Sequence, residues 1–442
     1  MNHSSKSQTI AALDIGTTKV CALIGRRDEH GRLEILGLGK VESQGVMRGV
    51  VSNIEKTVRA ISEAKKLAEQ QSELEFETVH VGIAGQHVKS LQHRGMMMRD
   101  NTHSEINQRD IDRLVSDMYK LVLPPGDKIL HVIPQEYTVD NEQGINDPVG
   151  MSGTKLEANF HIITGQITAS NNINRCVQRA GLQVAGVTLE PIASAASVLY
   201  EDEKQAGVAL VDIGGGTTDI TIFQEGIIRH TAVIPFGGNV ITKDIKAGCT
   251  VMDQHAEKLK RKYGSALASE VYENRVIVIP GLRGREPKEI SEKNLARIIQ
   301  ARVEEILDHV VWEIKRSGYE RDLIAGIVLT GGGSLLRDID KLAELHTGHS
   351  TRVGTPVEHL SHGYSEDLTS PIYATAVGLL LQGFADIDAG RVIDAGATAK
   401  QKDPDPAEVP QLETVDADKS GWFDNLFRKT KEWFEAEPDR DF

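Results

Sequence analysis

The chain has 442 residues, enough for two or three domains with sizeable buried cores. Its 64 acidic residues outnumber its 50 basic ones, and the net charge of −14 argues against broad nucleic-acid binding, which needs a cationic surface. Three widely separated cysteines give neither a disulfide framework nor the spacing of a zinc site. No long apolar run precedes Asp14, and ATAVGLLLQGFA is too short to cross a bilayer, so we expect a soluble cytoplasmic protein that meets membranes only at their surface.

The order of predicted elements indicates an α/β protein with an insertion. Residues 8–85 alternate between strands and one helix, which is typical of an α/β domain. Over residues 87–161 the predicted elements change to one helix followed by short strand-like segments, which predicts an inserted subdomain. The α/β pattern then resumes and includes a long amphipathic helix from about Ser291 to Arg316. Beyond Phe384 the composition becomes rich in Asp, Ala, Pro and Gly, which predicts a disordered linker.

Two segments share a strand–glycine–strand pattern, ALDIGTTKV and LVDIGGGTTDI, with Asp14 and Asp212 in matching places. Glycines let the backbone approach a phosphate closely, while backbone N–H groups and Thr hydroxyls donate hydrogen bonds. Because a carboxylate repels phosphate, the two aspartates predict a Mg²⁺ ion held through its water shell. Two such hairpins facing each other predict two related domains with one nucleotide between them. The predicted cofactor-binding residues of the hairpins are Asp14, Gly16, Thr17, Thr18, Lys19, Asp212, Gly214, Gly215, Gly216, Thr217 and Thr218.

A third glycine motif, LTGGGSLL, lacks the preceding carboxylate. A glycine run that opens a helix can lie against a nucleoside or accept its α-phosphate at the helix N-terminus. Glu257 and Lys260 lie one helical turn apart and could hold the ribose hydroxyls and adenine, or could form a solvated surface ion pair. The candidates in the glycine motif are Gly331, Gly332, Gly333 and Ser334.

In this order, the motifs resemble the actin/Hsp70/sugar-kinase ATPase superfamily. Asp14–Thr18 resembles its first phosphate motif, Asp212–Thr218 its second, and Thr330–Leu335 its adenosine motif. LEPIASAASVL and PIYATAVGLL resemble the two connecting helices at the interdomain hinge. The resemblance implies that Glu190 orients the water that attacks the γ-phosphate, although a carboxylate that merely starts a helix is the alternative.

Within the superfamily, VHVGIAGQHVKS, HVIPQEYTVD, PVGMSGTKLEANFHIITG and PFGGNVITKDI resemble the FtsA family of bacterial cell-division actin homologues, over about residues 9–385. The resemblance implies a two-lobed actin-like ATPase fold made of duplicated ribonuclease-H-like domains. It also implies an SHS2-like subdomain, 1C, in place of actin subdomain 1B. The implied divisions are 1A at 1–86, 162–203 and part of 372–384; 1C at 87–161; 2A at 204–230 and 310–371; 2B at 231–309; a disordered linker at 385–419; and an amphipathic helix at 420–437.

The aromatic C-terminal segment predicts an amphipathic helix. At helical spacing its large apolar side chains fall in one arc, with two lysines at the borders of that arc, from which they can reach lipid headgroups. Insertion into a membrane interface fits best; the alternatives are packing on the chain's own domain or docking in a partner's groove. The predicted membrane residues are Trp422, Phe423, Leu426, Phe427, Lys429, Lys431, Trp433 and Phe434.

The resemblance implies an ATP- and Mg²⁺-binding protein that anchors the ring of the tubulin-like protein FtsZ to the inner membrane at the division site. It further implies self-assembly into an actin-like polymer, recruitment of later division proteins through subdomain 1C, and at most slow ATP hydrolysis. Arg302 and Glu305 on the long helix are the residues implied to receive the C-terminal tail of FtsZ. A sugar or acetate kinase and an actin-like pilus-assembly protein are the alternatives.

Four histidines close in sequence raise a separate question of metal binding. No regular ligand pattern links them, so a solvated loop is favoured over a metal site. They are His346, His349, His359 and His362.

Overall fold

The computed structural model describes residues 8–99, 105–279, 286–361, 366–390 and 398–399. In chain order the strands are β1 (Thr9–Ile15), β2 (Lys19–Arg27), β3 (Leu33–Glu42), β4 (Val46–Met47), β5 (Val50–Val51), β6 (Leu74–Glu75), β7 (Thr78–Ile83), β8 (Lys89–Met98), β9 (Asp127–Val139), β10 (Glu142–Ile145), β11 (Lys155–Gln166), β12 (Gln183–Leu189), β13 (Val208–Ile213), β14 (Thr218–Gln224), β15 (Ile227–Ile234), β16 (Val276–Ile279), β17 (Lys288–Ser291), β18 (Ile327–Thr330), β19 (Thr351–Val353) and β20 (Thr398–Ala399). The α-helices are α1 (Ile54–Ser72), α2 (Gln108–Met118), α3 (Ile167–Arg179), α4 (Glu190–Val198), α5 (Glu201–Ala206), α6 (Gly238–Cys249), α7 (Asp253–Tyr263), α8 (Glu292–Ser317), α9 (Ile339–Thr347) and α10 (Ala374–Asp388).

The first lobe is built on a five-stranded sheet of order β12-β7-β1-β2-β3. The hairpins β1–β2 and β2–β3 are antiparallel, whereas β7 runs parallel to β1 and to β12. Helices α1 and α3 cover one face of this sheet, and α10 covers the other with side chains such as Leu380 and Phe384. Because both faces are buried, β1 and β2 read as nearly continuous apolar runs.

The second lobe repeats the same arrangement with a five-stranded sheet of order β15-β14-β13-β18-β19. Again the first two hairpins are antiparallel and the two added strands are parallel. The long helix α8 packs on one face; the side chain of Ser291 accepts from Asn294 N at its start, and Gly318 ends it at a φ of 82°. The prediction of two related α/β domains is confirmed.

Helices α4 and α10 cross between the two lobes. α4 packs on the second lobe through Val198, and α10 packs on the first. At the crossing, a Cβ on Gly378 would lie 1.7 Å from the carbonyl oxygen of Ala193, so only glycine permits this approach. The crossing forms a tight hinge between the lobes.

The inserted subdomain consists of a four-stranded antiparallel sheet, β10-β9-β11-β8, with α2 packed on one face. Asn107 and Asp110 form a capping box at the start of α2. The core between the helix and the sheet includes Leu114, Leu156 and Phe160, all buried. In the described part of the chain, no helix is long and apolar enough to cross a membrane.

The compact unit that contains the described residues spans Met1–Lys400. Residues 385–388, predicted as the start of the linker, are instead the end of α10. The predicted membrane helix at 420–437 and most of the predicted linker at 385–419 lie outside the described residues, as does His362. The predictions made for them therefore stay predictions.

Candidate functional site

The two glycine hairpins have the same geometry. In the first, Gly16 N donates to Lys19 O at 2.9 Å and closes the turn between β1 and β2. In the second, Gly214 N donates to Thr217 O, also at 2.9 Å, between β13 and β14. Each turn starts two residues after the aspartate that the sequence pattern singles out. The duplicated motif is therefore a duplicated structure.

The hairpins lie directly against each other across the two lobes. A Cβ on Gly216 would lie 2.6 Å from the Thr17 hydroxyl oxygen, and one on Gly215 would lie 2.3 Å from the Thr18 methyl carbon. The Thr17 hydroxyl also accepts a hydrogen bond from Gly49 N at 3.2 Å. Any larger residue at these glycines would push the lobes apart.

A cleft of about 540 Å³ opens between the hairpins, and it brings together most of the predicted cofactor-binding residues. Glu190, the predicted water-orienting residue, also lines it. Two predicted residues do not: the Thr218 hydroxyl donates to Phe236 O at 2.9 Å, and the Ser334 hydroxyl donates to Gly331 O at 2.7 Å. These two side chains hold the loops in shape instead of facing the cleft. The predicted residues that line it are Asp14, Gly16, Thr17, Thr18, Lys19, Asp212, Gly214, Gly215, Gly216, Thr217, Glu257, Lys260, Gly331, Gly332 and Gly333.

Several carboxylates of the cleft surround Lys19. The Lys19 ammonium contacts the Asp14 carboxylate, and although burial opposes the charged amine, this attraction raises the pKa of Lys19. Burial, followed by repulsion from Asp14 and Asp219, raises the pKa of Glu190. The excess of negative charge around Lys19 would be relieved by a bound cation.

Two hinge residues hold Asp212, and the sequence patterns did not single them out. Ser194 on α4 donates to Asp212 Oδ2 at 2.7 Å, and Thr375 on α10 lies 3.4 Å from the same oxygen. Burial raises the pKa of Asp212, and the two hydroxyls counteract this. The carboxylate is thus tied to both hinge helices.

Asp219 is a further carboxylate of the cleft that sequence reasoning missed. The hairpin register pairs it with Asp212, whereas Asp14 in the first hairpin pairs with Cys21. Burial and then repulsion from Asp212 raise the pKa of Asp219 to about 8, and its Oδ1 has no hydrogen-bond partner. A four-residue turn after Asp212 fixes this pairing, so the spacing in LVDIGGGTTDI was the available signal.

The carboxylates of Asp14, Asp212 and Glu190 fit a magnesium ion held mainly through water. Hard oxygen donors suit Mg²⁺, which keeps most of its water shell in such sites. Across the described ranges, no three His, Cys, Asp or Glu side chains are arranged as direct ligands of one metal ion. A water-mediated ion agrees with both observations.

The cleft also carries the Glu257–Lys260 pair. The Lys260 ammonium lies 2.7 Å from Glu257 Oε2 and donates to Gly238 O at 2.9 Å. Thr242 donates to the same Glu257 oxygen at 2.6 Å. The Lys260 side chain is 14% exposed and the Glu257 side chain 41% exposed, so the lysine is largely buried while the carboxylate reaches solvent.

The third glycine motif differs from the expectation of a helix opening. Gly332–Leu335 forms a short 3₁₀ turn, and α9 begins only at Ile339. Gly331 has a φ of 79°, and a Cβ there would lie 2.1 Å from Asp212 Oδ1. The left-handed residue Asp338 immediately precedes α9, and the three glycines of the motif line the cleft.

The other predicted residues lie away from the cleft. Arg302 contacts both Asp244 and Glu305, which joins α6 to α8 on the surface. His346 Nε2 lies 2.8 Å from Asp308 Oδ1, and the His359 carbonyl accepts from the backbone. For His349, the backbone N–H donates to the Thr347 hydroxyl at 3.2 Å.

Comparison with known proteins supplies the family. The model described as Cell division protein FtsA matches residues 209–378, and that of the SHS2 domain inserted in FtsA matches residues 85–164. Cell division protein FtsA of Pseudomonas aeruginosa is 42% identical over 410 residues, which cover 92% of this chain and 97% of that protein. The chain belongs to the FtsA family. Membership of FtsA supports a cell-division, actin-like role.

Solved structures share the fold of this FtsA-family chain. The PilM–PilN type IV pilus biogenesis complex matches with a TM-score of 0.61 at 15% identity, over 85% of this chain and 98% of that one. MreB5 of Spiroplasma citri bound to ADP matches with a TM-score of 0.54 at 16% identity, over 86% and 98%. At these identities the likeness shows the fold alone. The predicted actin-like fold with an SHS2 insertion is confirmed.

Proposed function

We propose that the cleft binds ATP with Mg²⁺ and that the nucleotide joins the two lobes in a state competent to polymerise. The observation that carries this proposal is the pair of glycine turns closed by the same hydrogen bond, Gly16–Lys19 and Gly214–Thr217, which line one cleft. A polyphosphate between them would be gripped by both lobes at once. The MreB5 structure of the same fold is described as bound to ADP, and nucleotide binding is carried to this chain as part of the proposal.

Different residues of the cleft hold different parts of the nucleotide. The glycine turns present backbone N–H groups, and Lys19 exchanges its contact with Asp14 for one with phosphate. Glu257 and Lys260 hold the ribose and base. Mg²⁺, when bound near Asp14 and Asp212, supplies positive charge that offsets the phosphates and the carboxylates.

Glu190 orients the attacking water. Burial and then repulsion from Asp14 and Asp219 raise its pKa, which disfavours the ionised carboxylate that would accept a proton from that water. Turnover is therefore slow, and the nucleotide acts mainly as a joint between the lobes.

Calorimetric titration with ATP, with Mg²⁺ or with EDTA, tests this proposal. We expect Mg²⁺ to strengthen ATP binding. In Asp212→Asn the gain in ATP affinity that Mg²⁺ gives should be at least tenfold smaller, because the water-mediated ion loses a charged acceptor. Asp253→Asn on the surface is the matched control and leaves both values unchanged. Wild-type protein that binds no ATP under either condition would refute the nucleotide site.

We further propose that the C-terminal segment tethers this scaffold to the cytoplasmic face of the inner membrane at the division site. Support comes from the arc of aromatic residues in the sequence, including Trp422 and Trp433. A single helix binds weakly, whereas a polymer that presents many copies binds firmly. Liposome co-sedimentation should retain the full chain, more strongly with ATP and Mg²⁺, and should lose a chain truncated after Asp418. Equal sedimentation of both chains would refute the tether.

The proposed tether connects the membrane to FtsZ, while the inserted subdomain recruits later division proteins and takes part in self-association. Arg302 already contacts Asp244 and Glu305, so a carboxylate of the bound FtsZ tail would compete with Asp244 for the guanidinium group. Arg302→Ala should weaken binding of the FtsZ tail, measured by fluorescence anisotropy, while Arg316→Ala on the same helix should not. We also propose the subdomain boundaries given by the sequence.

A further inference from the structure

The inserted subdomain belongs to the first lobe in sequence, yet it is hydrogen-bonded to the second. Gln135 on β9 donates from its amide nitrogen to Ile228 O at 2.7 Å and to Arg229 O at 3.1 Å. Ser90 on β8 donates to Thr231 O at 3.1 Å. All three acceptors are carbonyls of β15, the edge strand of the second sheet. Side-chain donors of the insertion thus satisfy an edge that would otherwise be open.

A buried histidine completes this contact. His161 on β11 is 1% exposed, and its Nε2 lies 2.9 Å from the Thr231 hydroxyl. Its Nδ1 lies 3.3 Å from the Gln92 amide nitrogen, which can only donate. The ring is therefore neutral, accepting at Nδ1 and donating at Nε2. Burial, then the nearby His230, lowers the pKa of His161 to about 4, in agreement with this assignment.

On each lobe, a contact of the insertion meets a strand that runs into the cleft. On the second lobe, β15 leads to Gly238 and Asn239, whose N–H groups donate to Gly214 O and Gly215 O, both at 2.9 Å. On the first lobe, His131 Nε2 accepts from Leu189 N at 3.0 Å, one residue before Glu190. The insertion therefore contacts both sides of the cleft through short stretches of chain.

We propose that the inserted subdomain is a second bridge between the lobes, formed by Ser90, Gln92, Gln135 and His161 against β15, which holds the cleft closed and so sets how long a nucleotide stays bound. The hinge of α4 and α10 fixes one point of contact between the lobes. The bridge supplies a second point of contact between the lobes, and its hydrogen bonds must break when the cleft opens. The consequence for the nucleotide rests on the proposed function; the bridge itself does not.

The amide of Gln135 gives the sharpest test, because it can be changed without changing its size. Gln135→Glu replaces a nitrogen that donates to two carbonyls by an oxygen that repels them, and Gln135→Met removes the donors without adding charge. Gln143→Glu, on the exposed edge strand β10, is the matched control with the same change in charge. The full-length chain is loaded with a fluorescent ATP analogue and Mg²⁺, and dissociation is followed by stopped flow after a chase of ATP.

We expect dissociation to accelerate about 3- to 10-fold in Gln135→Met, the change that losing one net hydrogen bond gives, and more in Gln135→Glu. Gln143→Glu should match the wild type. Hydrogen exchange of amides 227–234 should rise in both Gln135 variants without nucleotide, while exchange in the far strand β18 stays unchanged. A merely structural role would raise exchange in both strands and lower the melting temperature with no selective effect on dissociation.

The outcomes separate the bridge from the nucleotide site. If the wild type binds the analogue and the Gln135 variants release it at the wild-type rate, the bridge is refuted while the nucleotide site stands. If the wild type does not bind the analogue, the proposed function fails, but hydrogen exchange of amides 227–234 still tests the bridge. Exchange that is the same in the Gln135 variants as in the wild type would refute the bridge.

Discussion

Replacing Ser194 by alanine removes the shortest hydrogen bond to Asp212. The Ser194 hydroxyl is fully buried and donates to Asp212 Oδ2 at 2.7 Å. A hydrogen bond to a charged group contributes about 1.5–3 kcal/mol to stability. Thr375, 3.4 Å from the same oxygen, remains as a weaker donor, so we expect Ser194→Ala to lower the free energy of unfolding by about 2 kcal/mol at pH 8.

The loss should depend on pH because the bond stabilises the ionised carboxylate. Without the Ser194 donor the pKa of Asp212, already raised by burial, rises further. The contribution of Ser194 is therefore present where Asp212 is ionised and is lost as the pH falls through the raised pKa of Asp212. Urea unfolding of variant and wild type over a series of decreasing pH values from pH 8 measures this: the deficit should shrink as the pH falls through the raised pKa of Asp212.

Ser197 on the same helix provides the matched control. Its buried hydroxyl donates only to the neutral carbonyls of Ser194 and Ala374, so Ser197→Ala should cost about 1 kcal/mol at every pH. In the background of Asp212→Asn, the pH dependence of Ser194→Ala should vanish. Equal losses for the two serine variants at all pH values would refute the reasoning.

Three further substitutions test other parts of the cleft. Gly331→Ala should destabilise the fold by more than about 2 kcal/mol in urea unfolding, because φ is 79° and the new Cβ meets Asp212; a smaller loss would show that the turn can shift. A carboxyl whose pKa is raised to about 8 binds a proton on folding, so Asp219 makes the protein less stable as the pH rises from about 4 to about 8. Asp219→Asn should remove this pH dependence of the free energy of unfolding, and an unchanged pH profile would contradict the raised pKa of Asp219. Lys260→Met should weaken ATP binding at least tenfold in calorimetry, because Glu257 loses its ion-pair partner and keeps only the hydrogen bond from Thr242; full affinity would place the nucleoside elsewhere.

The sequence predicted the parts of the site that local geometry controls. A strand ending in aspartate, followed by glycines and a second apolar strand, admits few structures other than a tight hairpin, and Gly16 and Gly214 close their turns as expected. Asp219 could have been found by extending the same hairpin register one step beyond Thr218.

Contacts between segments that are distant in the chain have no recognisable pattern in the sequence. Ser194 and Thr375 look like ordinary small residues of buried helices, and only the crossing of α4 and α10 brings both to Asp212. Gln135 reads as one polar residue in a strand, although it is 8% exposed and holds the edge of the other lobe. The glycines after Thr330 predicted the opening of a helix, but they form a short 3₁₀ turn, and α9 begins only at Ile339, after the left-handed residue Asp338; single-sequence propensity does not reveal that conformation.

The position of α10 in the chain constrains synthesis. This helix covers one face of the first sheet, where Leu380 and Phe384 meet residues such as Ile10 and Leu23. A ribosome delivers those strands first and the helix more than 340 residues later, after the whole second lobe. During translation the nascent first lobe therefore exposes an apolar sheet face until α10 has been made and covers it. A premature stop anywhere before Ala374 leaves that face open, which makes truncated products natural clients of chaperones and proteases.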